Sequence, residues 1–186
     1  MALRSSSAAL AVALVEWIDV KSRSTRRQPN TGRGVAASSA EERQSPTWVA
    51  GVAEVTVDTK TGRYKINRIT VAMDPGTVIN PRNATAQIQG AALWGASQVM
   101  AERLTLKDGG IDQSNFHEYT PIRLADVPPI DVELIDSGHH PSGVGEPAST
   151  VVAPSVANAI YNAVGVRVRH MPVTPEAVLE GLKRKA

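Results

Sequence analysis

Trp48-Val49-Ala50-Gly51-Val52-Ala53-Glu54-Val55-Thr56-Val57-Asp58, the turn Thr59-Lys60-Thr61-Gly62, and Tyr64-Lys65-Ile66-Asn67-Arg68-Ile69-Thr70-Val71-Ala72-Met73 decide the fold class. Both long runs are rich in Val, Ile and Thr. The second alternates apolar and polar positions with the period of two that a half-buried strand requires. The polar, glycine-ended stretch between them has turn chemistry, so residues 48–58 and 64–73 read as a β-hairpin.

Working downstream, Asp74-Pro75-Gly76-Thr77-Val78-Ile79-Asn80-Pro81 is a turn-rich handover to a helix. Asn80 is suited to cap that helix and Pro81 to take its first position, where a missing N–H costs nothing. The spacing predicts a helix over 81–104, with Ile88, Ala91 or Ala92, Gly95 or Ala96, and Val99 on one face. Gly90, Ala91 and Gly95 allow close approach, either by another helix or by a flat ligand. A weaker hairpin flanks Lys107-Asp108-Gly109-Gly110, and Val127-Pro128-Pro129 leads to a strand over 130–135. The loop 136–142, bearing His139 and His140, delivers the chain to Gly143-Val144-Gly145-Glu146-Pro147. A helix over 152–164 follows, with Val152, Val156, Ile160 and Val164 four residues apart and Gly165 as its C-cap. Residues 166–173 look strand-like. Thr174 then caps a last helix with Pro175 at its first position and Leu179 and Leu182 facing inward.

Upstream of the hairpin, a short strand is expected over 34–37 and a loop over 38–46. Residues 1–33 read as an N-terminal helix and a basic linker, ahead of one domain over 34–186. Residues 1–15 imitate a secretion signal, but Glu16 and Asp19 follow without a small-residue cleavage site. An ordinary helix with Leu10, Leu14, Trp17 and Ile18 on one face is the expectation. Lys21, Arg23, Arg26, Arg27 and Arg33 make the following stretch basic. Hairpins mixed with helices, without strict βαβ alternation, define an α+β domain.

Composition narrows the function. Twenty basic and 18 acidic residues leave a net charge of +2, so no global field points to nucleic acid, and no aromatic interleaving offers stacking platforms. Cysteine is absent from the sequence, which removes disulfides and Cys-ligated iron–sulfur or zinc centres. His117, His139, His140 and His170 lack metal-ligand spacing, so no protein metal site is expected. No apolar run reaches the ~20 residues of a membrane span. That leaves a soluble reading, with cytoplasmic and periplasmic faces both open. No phosphate-cradling loop of the GxxxxGK type and no GxSxG elbow is present.

Glu146 is the candidate catalytic residue. It directly follows a stretch with glycines at 143 and 145, where backbone and ligand come close, and Pro147 fixes the extended direction in which the chain leaves it. A carboxylate is also favoured by the dipole at any helix start, so a purely structural role stands beside the catalytic one.

Four motifs carry a resemblance. Residues 71–81 (Val-Ala-Met-Asp-Pro-Gly-Thr-Val-Ile-Asn-Pro), Ala86-Gln87-Ile88-Gln89-Gly90-Ala91, Gln113-Ser114-Asn115-Phe116-His117-Glu118-Tyr119, and Gly143-Val144-Gly145-Glu146-Pro147 with residues 153–160 occur in that order. The chain resembles the C-terminal part of the molybdenum-cofactor-binding subunit of the xanthine oxidase and aldehyde oxidase family. Its nearest likeness is to isoquinoline 1-oxidoreductase β subunits and bacterial membrane-bound aldehyde dehydrogenases. The resemblance spans about 32–182.

It implies a molybdenum held by a pterin dithiolene, molybdopterin, with a cytosine dinucleotide form open. Glu146 would be the general base toward Mo–OH in oxidation of a small aldehyde or N-heterocycle by water-derived oxygen. Gln87 would hydrogen-bond the pterin, Gly90 and Ala91 would let it lie against the helix, and Gly143, Val144 and Gly145 would line the approach to the metal. Gln89 stands where the family often has Glu, and Pro75 where this branch often has Cys. Family subunits are several times longer. The implied partners are therefore the remainder of the molybdenum-binding subunit and a 2Fe–2S small subunit that holds the iron–sulfur clusters, with a cytochrome c among the electron acceptors the family allows. The alternative is a non-catalytic folded fragment or assembly module of such an enzyme.

Overall fold

A computed structural model describes residues 28–42 and 45–185. The expected N-terminal helix and most of the basic linker lie outside the described residues. Four strands form one sheet in the order β1-β2-β3-β6: β1 is Thr31–Glu42, β2 Ser45–Val57, β3 Tyr64–Asp74 and β6 Ile130–Leu134. The first three pair antiparallel and β6 joins β3 in parallel. Helices α1, Pro81–Met100, α2, Pro147–Val164, and α3, Pro175–Lys185, complete the domain, and a two-stranded ribbon, β4 Leu106–Lys107 with β5 Gly110–Ile111, stands apart. The α+β class holds.

The central hairpin forms as read, with Val55 opposite Ile66 and Gly51 opposite Val71, and a bulge between Glu54 and Val55. Val49, Ala53, Val55, Val57, Ile69, Val71 and Met73 are buried in one core with Ile88, Val99, Val152 and Ile160 of the helices. Burying each Val, Ile or Met side chain of this set contributes about 1.5–3 kcal/mol, which compensates for the scarcity of aromatics. The opposite sheet face carries a smaller cluster of Ala50, Val52 and Ala72, with the ion pairs Arg33–Glu54 and Arg68–Asp131 on the same sheet.

Several expectations are corrected. Residues 38–42 and 45–46 are strand, not loop, because β1 runs from Thr31 to Glu42 and β2 begins at Ser45. Arg33 is accordingly a strand residue, its guanidinium 2.9 Å from Glu54. The full length of the strand, expected only over 34–37, is hidden in the sequence because Gly32 and Gly34 mimic turn residues. They serve instead to let β1 lie on α2: a Cβ on Gly34 would meet the Ser155 carbonyl at 2.1 Å, and one on Gly32 the Ala159 carbonyl at 2.2 Å. Residues 166–173 form no strand, although Val173 N–H reaches the Val99 carbonyl at 2.8 Å. The second helix begins at Pro147, five residues before the expected start, so Pro154 lies inside it and Glu146 becomes its cap residue.

Helix α1 ends at Met100, not at 104. The cap is as expected: Asn80 Oδ1 accepts from Asn83 N–H at 3.0 Å, with Pro81 at the first position. Gly95 meets α2 at Ser149 and Val152, so at that position the close partner is a helix. Tyr64 OH donates to the Val99 carbonyl at 3.1 Å, tying the start of β3 to the end of α1, and burial pushes this phenol well above its ordinary pKa.

Candidate functional site

The site is assembled where β3 ends. Asp74 is the last residue of that strand and is only 2% exposed. Its Oδ1 accepts from Gly76 N–H at 2.9 Å and from Ser137 Oγ–H at 2.7 Å, while Oδ2 is buried without a partner. The carboxylate thus joins two segments that are 63 residues apart. Gly76, at φ +81°, lies so close to the 136–142 loop that a Cβ would stand 2.5 Å from the His140 carbonyl. Thr77 donates both N–H and Oγ–H to the His139 carbonyl at 2.9 Å, and Ser142 N–H donates to Pro75 at 2.8 Å. His139 and His140 act here through their backbone, with their rings exposed.

From Ser142 the chain enters the Gly-Val-Gly-Glu stretch. Thr47, 1% exposed, donates its hydroxyl to the Gly143 carbonyl at 2.9 Å and so fastens that stretch to β2. Gly145 comes against α1, where Gln87 Nε2 lies 3.9 Å from the place its Cβ would occupy. Glu146 follows as cap residue of α2. Its own carbonyl accepts from Ser149 N–H at 2.9 Å and Oγ–H at 2.8 Å, whereas its exposed carboxylate makes no cap bond. The 18-residue helix behind it directs the positive end of its dipole at this point.

Between the 75–80 turn, the first turns of α1 and the 141–144 stretch lies a cleft of about 330 Å³, walled by Pro75, Asn80, Asn83, Gln87, Ser142 and Val144. Its size is that of a small-ligand site, and its wall mixes apolar surface with amides and a hydroxyl. Gln87 and Val144, read as cofactor residues from distant motifs, both line it, and Gly145 lies beside Gln87. Gly143 stands behind them with its carbonyl engaged. Gly90 does not share the cleft: it is exposed in a separate groove with Trp94 and Ile122, and Ala91 is buried in the core. Gln89 faces elsewhere, donating to the Ile130 carbonyl at 3.1 Å and holding β6 to α1. Asp74, Thr47 and Ser137 were not singled out in the sequence. The Asp-Pro-Gly run marked the turn, but nothing local announced its distant partner. Among the described residues no cluster of His, Asp and Glu could hold a metal ion, and no helix is long and apolar enough to cross a membrane.

Comparison with known proteins adds to this geometry. The molybdopterin cofactor-binding domain family matches residues 37–128. A membrane-bound aldehyde dehydrogenase of Gluconacetobacter polyoxogenes, whose name attributes pyrroloquinoline-quinone to it, is 47% identical over 154 residues, 83% of this chain and 20% of its own length. The isoquinoline 1-oxidoreductase subunit beta of Brevundimonas diminuta is 31% identical over 150 residues, 81% of this chain and 19% of that one. The solved aldehyde oxidoreductase of Desulfovibrio gigas superposes with a TM-score of 0.64 at 28% identity, over 74% of this chain and 16% of that chain. The chain thus spans about a fifth of the length of the relatives it matches.

Proposed function

We propose, from the premise that this chain belongs to the molybdopterin cofactor-binding domain family, that it forms part of the active site of a molybdenum hydroxylase acting on an aldehyde or N-heterocycle. The observation that carries the proposal is the meeting of Gln87 with Gly145, one residue before Glu146, beside a cleft of about 330 Å³.

The residues present fit the cofactor. Gly145 leaves the Gln87 amide uncovered, and that amide offers both a donor and acceptors to the edge of a pterin ring. The glycines at 143 and 145 keep the backbone accessible around Val144. When bound, the molybdenum cofactor supplies the two-electron oxidation by which a water-derived oxygen enters the substrate. Glu146 takes up the proton released in that transfer. A base must be accessible, and this carboxylate is exposed and engaged in no cap bond. The 74–77 turn and the 136–142 loop, pinned together by Asp74, hold the stretch bearing Glu146 against α1. The chain has no cysteine to ligate an iron–sulfur cluster, so the electrons leave through a partner, proposed to be a 2Fe–2S subunit, with a cytochrome c as the further acceptor. A cytosine dinucleotide form of the cofactor belongs to the same proposal.

The test is molybdenum and pterin content, together with aldehyde oxidation, for the chain co-expressed with the part of the Gluconacetobacter relative that it does not match. Glu146→Gln is expected to retain the metal and lose turnover by about 10²–10⁴-fold, the usual contribution of a general base. Gln87→Leu is expected to lower pterin content. Turnover unchanged in Glu146→Gln would remove the base role, and molybdenum absent under every condition would leave the chain as an assembly module.

A further inference from the structure

The segment between α1 and β6 presents its apolar side chains to solvent. Leu104 is 57% exposed, Leu106 81%, Ile111 60%, Phe116 97% and Leu124 90%, and Trp94 of α1 beside the segment is 64% exposed. Five of these six fall within 21 residues. A connector that had merely failed to pack would carry such side chains without defined order, but this one is held in place by polar bonds.

Gln113 pairs with Thr105 through two bonds of 2.8 and 2.9 Å, and the Glu118 carboxylate accepts from the N–H groups of Ser114 and Asn115 at 2.7 and 3.0 Å. Tyr119 OH donates to Glu102, and Ile122 N–H donates to Ser97 Oγ at 3.1 Å, next to the core. The Asp108-Gly109 turn, at φ 51° and 81°, closes the β4–β5 ribbon in the geometry that hairpins favour. These bonds order the backbone, and the hydrophobes face solvent. Two grooves of about 350 and 270 Å³ open between them, one walled by Leu104, Phe116 and Tyr119, the other by Trp94 and Ile122.

An ordered apolar surface of this kind is rare on an independent domain and marks a buried contact. We propose that residues 104–124 with Trp94 are the surface on which this domain packs against the remaining polypeptide of a molybdenum-binding subunit, through an apolar face of that polypeptide. Two observations select this occupant. The family match, residues 37–128, runs through the whole segment, which is therefore part of the domain as the family builds it. The same fold makes up only 16% of the Desulfovibrio gigas chain, and the matched stretch 20% of the Gluconacetobacter relative, so the domain exists in those proteins against a much larger body of polypeptide. The inference rests on the family reading but not on the roles of Gln87 or Glu146.

The lack of cysteine makes a direct test available. Single variants Phe116→Cys, Leu124→Cys and, as a control on α2, Tyr161→Cys are labelled with a maleimide, first alone and then co-expressed with the unmatched part of the Gluconacetobacter relative. Labelling at 116 and 124 is expected to slow at least tenfold in the complex, with 161 unaffected. Phe116→Ser with Leu124→Ser is expected to abolish co-purification while leaving the melting temperature of the isolated chain unchanged. Unprotected cysteines in a complex that forms, failure of the wild-type chain to associate, or a self-dimer dissolved by the serine pair would each overturn the proposal. A fall in the melting temperature of the serine pair would do so too, by showing the side chains to be part of this domain's own core. Molybdenum content is read separately, so failure of the docking surface and failure of the cofactor site are distinguishable.

Discussion

Asp74 shows how much one side chain can organise when its two neighbours come from distant parts of the chain. Its Oδ1 receives Gly76 N–H and Ser137 Oγ–H, so replacing it with alanine leaves two donors without their charged acceptor. Hydrogen bonds to charged groups contribute about 1.5–3 kcal/mol each. The orphaned Oδ2 offsets part of that, since removing a buried unpaired oxygen relieves a desolvation cost of about 1–3 kcal/mol. Asp74→Ala is therefore expected to destabilise the domain by about 2 kcal/mol, read as the midpoint shift in a urea titration, and Ser137→Ala by less. Equal effects of the two would show that the Gly76 bond contributes little. The turn at Asp74-Pro75-Gly76 was legible in the sequence because proline and glycine write turn chemistry locally. The burial of the carboxylate was not, because its second partner is 63 residues away. The same distinction separates the cleft residues: Gln87 and Gly145 were each legible as members of motifs, whereas Thr47, which holds Gly143, sits in a stretch with no local signal.

At the level of elements, the hairpin, the capped helix α1 and the Gly165 terminus of α2, at φ 73°, were all legible, since each depends on residues within a few positions of one another. Strand β1 was legible only over 34–37, and the β3–α1–β6 crossover was not. Strand β6 pairs in parallel with β3 and is tied to α1 by the Gln89 bond to the Ile130 carbonyl, and the exposed segment that intervenes disguises the unit. In β1 the glycines were misleading for a physical reason: a strand that lies directly on a helix backbone must give up its side chains, and glycine is the residue that does so. Gly34→Val should test this reading. The added side chain would start 2.1 Å from the Ser155 carbonyl and 2.2 Å from Ala159 N, both backbone atoms of α2 that cannot rotate away. The expected outcome is a loss of at least ~1–3 kcal/mol from overpacking, seen as an early thermal transition. Gly90→Ala, with open space around its Cβ position inside α1, is the control that should unfold no earlier than the wild type, alanine being the better helix former by about 0.5–1 kcal/mol. A Gly34→Val protein as stable as the wild type would mean that β1 does not press on α2.

For the whole molecule, the contrast lies between an aliphatic core and an outer segment held by ionisable groups, and pH separates the two. The Glu118 carboxylate is held below the ordinary glutamate range chiefly by the backbone N–H of Ser114, then by the Ser114 hydroxyl and the N–H of Asn115. A group whose pKa is depressed by folding stabilises fully above its ordinary value, and that contribution is lost as pH falls through the depressed one. Tyr119 is shifted the other way: its phenol is raised, above all by its hydrogen bond to Glu102, so its contribution is complete below the ordinary tyrosine value and disappears as pH rises through the raised one. The segment over 104–124 should therefore hold its order across the neutral range and release it at both extremes, at the Ser114–Glu118 turn in acid and at the Tyr119–Glu102 bond in alkali. Val, Ile and Ala side chains in the core have no proton to gain or lose. Hydrogen exchange at the Ser114 and Asn115 amides, corrected for intrinsic rate, should show protection falling only below the ordinary glutamate range. Glu118→Gln should show that reduced protection already at neutral pH, with exchange in β2 and β3 unchanged. Protection at these amides that ignores pH through the acid range would mean that the carboxylate does not hold the segment, and the outward display of Phe116 and Leu124 would then need another cause.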